Sequence, residues 1–189
     1  MSASPKVMNS FHKFAIKIFI TNKDIRRKYY GSTKHLTMTY EDIFSKEGTA
    51  RTLSRINKLT PDTSPKWGKM NAAQMLAHLS VAYEMDLEDI HPAPNGFTRL
   101  ILKLFVKKAV CGPKPYAKNI KTAPQFIIKG DRDFDKEKKR LTDYIQKVAA
   151  AGSATYEGRE NQSFGPLTAA EWNTMYAKHL DHHLTQFGV

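Results

Sequence analysis

The stretch Leu167-Thr168-Ala169-Ala170-Glu171-Trp172, continuing to Lys178-His179-Leu180-Asp181-His182-His183-Leu184-Thr185-Gln186-Phe187-Gly188, decides the fold. Thr168 and Glu171 form a capping box, in which each side chain satisfies the other residue's backbone N–H. Leu167 and Trp172 flank it as a hydrophobic staple. The stretch therefore predicts a helix running from this box to about Phe187. On a wheel at about 100° per residue with Trp172 at 0°, the residues Met175, Tyr176, Leu180 and Phe187 make one apolar face. His179 and His183 fall at about 340° and 20°, in the middle of that face. His182, at about 280°, lies on its edge, and Asp181 faces solvent.

Two histidines four residues apart stand one above the other, near enough to grip one metal ion. Burying two imidazoles among Trp, Met and Leu costs desolvation unless each finds a partner. A metal is one such partner; a hydrogen-bonded core pair is the other, and the spacing alone leaves both open. A third inward histidine weighs toward the metal. A second apolar helix is expected from Ala72 to about Asp89, capped by Asn71 and buried on more than one side through Met75, Leu76, Leu79, Val81 and Tyr83. On its wheel His78 sits between Met85 and Ala82, on a buried side. Gln74, one turn earlier, is read either as a partner of His78 or as a surface amide. Glu84 points elsewhere.

Two further long helices are expected. One covers about Ser45 to Leu59 and ends before Pro61. The other opens at Asp131 or Asp133 and closes at Gly152. Four long helices without an alternating strand predict an all-α four-helix bundle. Between the second and third comes a short basic amphipathic helix, Phe97 to about Val110, with Leu100, Ile101, Leu104 and Phe105 set against Arg99, Lys103, Lys107 and Lys108. The irregular connection Gly112 to Gly130 follows, a candidate lid or rim over a site.

Of 189 residues 41% are hydrophobic and 25% charged, which excludes a disordered or fibrous chain. A single cysteine, Cys111, excludes an internal disulfide framework and a cysteine zinc ribbon. No apolar run is long enough for a membrane span, and a cytoplasmic location is expected. Of the net charge of +12, residues 1–37 carry +7, from eight Lys or Arg and one acid. Residues 1–37 thus form a basic extension, in which Phe11, Phe14, Ile18 and Phe19 recur at helical spacing. A membrane-surface helix, a helix packed on the domain and a solvated tail all fit that pattern. Residues 38–189 form the domain. No nucleic-acid motif surrounds the basic residues, so nucleic acid is not an expected partner.

The motifs Trp67-Gly68-Lys69-Met70, Gln74 to His78, Asp133 to Lys138 and Phe164 to Gly188 resemble the DinB-like superfamily of four-helix bundles, most closely an uncharacterised branch. The resemblance covers about residues 38–189. It implies a divalent metal, zinc, nickel or iron, on His78, His179 and His183. His182 has no counterpart in that triad. It also implies a metal-dependent hydrolase or a thiol-dependent transferase acting on a small molecule, with a low-molecular-weight thiol and a second copy of the chain in a homodimer as candidate partners. Lys114, Lys118 and Lys121 are candidates to hold an anionic thiol. The rival expectation is a non-catalytic helical-bundle binding or scaffold protein, held at a membrane surface by its basic N-terminal segment.

Overall fold

Helix α1 (Lys46–Asn57) starts where the Ser45 hydroxyl accepts from Gly48 N–H, and helix α2 (Ala72–Leu87) starts at a capping box between Asn71 and Gln74. In this computed structural model, residues 40–189 apart from Asp89 are described. The expectations for residues 1–37 lie outside the described residues. Next comes one continuous helical segment in three pieces: α3 (Gly96–Ile101), a π-helical stretch (Leu102–Val106) and α4 (Lys107–Cys111). A single 3-10 turn, Pro124–Phe126, interrupts the connection that follows. Helix α5 (Phe134–Tyr156) is capped by Asp133, and α6 (Ala169–Gln186) is capped by Thr168 and Glu171 as the sequence predicts. The described residues are all-α but for one two-residue antiparallel ladder, Glu160–Asn161 (β1) with Gly165–Pro166 (β2), which closes the loop between α5 and α6.

Among the described residues the four long helices bury one common core. Helix α5 packs on α1, α2 and α6, and α6 packs also on α1, α2 and α4. Ile56, Met75, Leu76, Leu79, Leu141, Ile145, Trp172 and Leu184 are all buried. Each such side chain removes enough apolar surface from water to stabilise the fold by about 1.5–3 kcal/mol. Helices α2 and α6 run antiparallel. The face of α6 that carries His179 and His183 meets His78, near the start of α2, and its earlier residue Tyr176 meets Tyr83 and Asp86, near the end of α2.

Two details differ from the sequence reading. Gly152 does end the regular part of α5, with φ of 73° that a side chain would strain, but helical backbone resumes beyond it to Tyr156. The short basic helix is mounted with its apolar side out. Thr98 and Cys111 are buried and Leu102, Val106 and Val110 half-buried, whereas Leu100, Leu104 and Phe105 face solvent. The π-helical stretch widens the turn and shifts the register, which a wheel of constant pitch does not register.

Candidate metal centre

Three imidazoles converge where α2 meets α6. The Nε2 atoms of His78 and His179 stand 3.0 Å apart, and one ring nitrogen from each of His78, His179 and His183 lies within 4.8 Å of the others. Ring centroids are 4.6 Å apart for His78 and His183 and 5.0 Å for the other two pairs. A tetrahedral ion about 2.0–2.1 Å from each nitrogen needs about 3.4 Å between them, so the cluster is of the size a single ion would span.

The outward nitrogens of two rings are tied. His78 Nδ1–H donates to the Phe126 carbonyl at 2.8 Å, and His183 Nδ1–H donates to Gln186 Oε1 at 2.7 Å. Each bond fixes the tautomer whose Nε2 presents a lone pair, the form that ligates a metal. Gln186 is held in turn by donating through Nε2 to the Trp67 carbonyl. Gly68 makes room for this: with φ of 87°, a Cβ there would stand 2.5 Å from Gln186 Nε2.

The rings are neutral at neutral pH. Burial lowers the pKa of His78, further lowered by His182 and partly offset by the Phe126 bond. Burial first, then the neighbouring imidazoles, takes His179 well below the usual value. His183 is pushed down to about 3, by burial and then by His78. His78 and His183 are buried; His179 keeps some exposure as a residue, while its ring lies among those of His78, His183, Phe126 and Tyr116.

The connection between α4 and α5 reaches this cluster through Tyr116 and Phe126. The Phe126 ring packs 5.5 Å from that of His78, and the Tyr116 ring 5.7 Å from that of His182. Lys118 Nζ lies 4.2 Å from the centre of the Trp67 ring, whose Nε1–H is buried and finds no partner among the described residues. Of the lysines singled out, Lys118 is thus placed beside Trp67; Lys121 is exposed.

His182 packs 4.9 Å from His183 and edge-on to Trp67 at 6.0 Å, but it does not join the three-nitrogen group. Gln74 is not a partner of His78. Its side chain accepts from Asn71 N–H and donates to the Gly130 carbonyl, so it caps α2 and ties down the end of the connection. Glu84 pairs with His91 and Arg140, away from the cluster. Among the described residues no Asp or Glu joins the three histidines.

Sequence reasoning missed Gln186, Phe126 and Lys178. Gln186 had a signal, since it falls at about 320° on the α6 wheel, on the histidine face. Phe126 acts through its backbone oxygen, which no side-chain pattern reveals. Lys178 is buried on the other side of α6, where its Nζ donates to the carbonyls of Ala109 and Gly112 and lies over the Tyr116 ring. It anchors the end of α4, and burial lowers its pKa to about 8.

No curated protein and no solved structure matches the chain at a significant level. A family model described as "Protein of unknown function (DUF1569)" matches residues 41–188, most of the chain and all of the helices that build the histidine cluster, and the chain belongs to that family.

Proposed function

We propose that this protein is a metal-dependent enzyme of DinB-like, four-helix-bundle type, with a divalent ion on His78, His179 and His183 and a small-molecule substrate. The observation that carries the reading is the pair of tethers, Phe126 oxygen on His78 and Gln186 on His183, which aim two Nε2 lone pairs at the same point as His179. A hydrogen-bonded core pair accounts for the His78–His179 contact at 3.0 Å but not for a third neutral imidazole, His183, held within ligand distance of both. Imidazole donors suit zinc, nickel or ferrous iron. An ion there supplies a Lewis acid that makes a bound thiol or water a stronger nucleophile at neutral pH.

Of the two reactions, transfer to or from a low-molecular-weight thiol is favoured over hydrolysis. Water attack is commonly served by a carboxylate base, and no acid joins the cluster among the described residues. A thiol needs no such base once its pKa is lowered, and Lys118 beside Trp67 offers a cation to an anionic thiol. The cobalt(II) form tests this. Titration with an anionic thiol should give saturable thiolate-to-cobalt charge-transfer absorption, weakened by Lys118→Ser and by high salt. An unchanged spectrum at millimolar thiol would leave hydrolase as the better reading.

A further inference from the structure

We infer that the outward face of the α3–α4 segment docks on an anionic lipid surface. The inference does not rest on the histidine reading. Amphipathic helices normally turn their apolar side to the core and their charges to water. Here the domain takes two of the charges: Arg99 pairs with Glu160, and Lys107 with Glu171 at 2.9 Å. Leu100 is left 52% exposed and Leu104 62% exposed, one turn apart on the same face. Phe97 and Phe105, 58% and 52% exposed, flank them. Scattered exposed leucines need no explanation, but a contiguous aliphatic and aromatic strip on one helix face marks an interaction surface.

Charge identifies the occupant. From Asn95 to Gly130 the sequence holds Arg99, Lys103, Lys107, Lys108, Lys114, Lys118, Lys121 and Lys129 and no Asp or Glu. Lys103 and Lys108 are exposed on the same segment, and neither makes an ion pair among the described residues. The same connection exposes Ile120 and Ile127. The Tyr40 hydroxyl donates to the Pro113 carbonyl at 3.1 Å. The described residues thus begin beside the end of α4, and the sequence before them carries a charge of +7 over residues 1–37. A second copy of so basic a face would be repelled. Nucleic acid would be met by cations rather than by leucines. An anionic bilayer interface offers both what leucines and what lysines seek, acyl boundary and phosphate. No helix among the described residues is long and apolar enough to cross a membrane, so the contact is peripheral.

The test is co-sedimentation of the full chain with vesicles of phosphatidylcholine alone and of phosphatidylcholine with phosphatidylserine, together with hydrogen exchange over residues 97–108. Binding is expected only with phosphatidylserine, reduced by salt, with slower exchange in that segment. Lys103→Ser with Lys108→Ser should weaken it by about 20- to 30-fold, and Leu100→Ser with Leu104→Ser by about tenfold or more. All four positions are exposed, so circular dichroism should be unchanged. Absence of sedimentation with phosphatidylserine overturns the proposal. Binding undiminished in both variants assigns the contact to residues 1–39, and a dimer that the leucine changes dissociate without vesicles assigns the face to a second copy; each overturns it equally.

Discussion

His183 shows how one side chain is aimed by another. Its ring could turn about χ2 if nothing held Nδ1, but Gln186 accepts from that nitrogen and is itself fixed to the Trp67 carbonyl. Gln186→Ala should therefore lower metal affinity by about 10- to 100-fold, with little change in helicity, as read by competition with a chromophoric chelator. Affinity unchanged by the substitution would mean that Gln186 serves only the end of α6. The three histidines were legible because a regular helix converts sequence spacing into direction, and each lies on an apolar face. The partners were less so. Gln186 lies on the same face yet reads as a polar residue near a helix end, and the Phe126 oxygen belongs to a connection with no period to read. Gln74 was read both ways, and the capping box with Asn71 decided for the backbone.

At the scale of elements, caps and glycines carry the information that survives from sequence to structure. Asn71 accepts from Gln74 N–H at 2.8 Å and starts α2, the helix that carries His78. Asn71→Ala should cost about 1 kcal/mol, measured by urea unfolding. Gly68→Ala is expected to act differently. A Cβ would collide with Gln186 Nε2 and add strain at positive φ, so the variant should lose both stability and metal affinity, where Asn71→Ala loses mainly stability. The α3–α4 segment was legible as a basic amphipathic helix but not in its orientation. Which side faces the domain depends on Glu160 and Glu171, acids on other elements, and on the π-helical turn at Leu102–Val106. Lys178 was hidden for a similar reason, since the carbonyls that solvate it come from the end of α4.

Over the whole molecule the core has two polar ends. Opposite the histidines, Tyr83 stacks between Tyr144 and Tyr176, and Trp172 stacks on Tyr176. Asp86 is buried beside them, accepting from Tyr176 at 2.9 Å and from Asn161 at 3.0 Å. Burial raises its pKa to about 7, the hydrogen bonds and Arg159 only partly offsetting it. The folded state then holds a proton that the unfolded state has lost, so this group lowers stability as pH rises from about 4 to 7. The histidines act in the opposite sense. Their folded pKa values are depressed, so their contribution is present above the unfolded value of 6.5 and lost as pH falls below it. Comparing the native chain with Asp86→Asn isolates the first effect. The variant should gain stability relative to the native chain between pH 5 and 8, on the order of a few kcal/mol, and a constant difference across that range would contradict the assignment. The ends are joined by α2 and α6, whose antiparallel contact brings His78 to His179 and His183. Elemental analysis of the chain purified without a histidine tag tests whether that contact is a metal site. About one divalent ion per chain is expected, falling to background when His179→Ala and His183→Ala are combined. A double variant that stays folded and keeps its full metal content would contradict it.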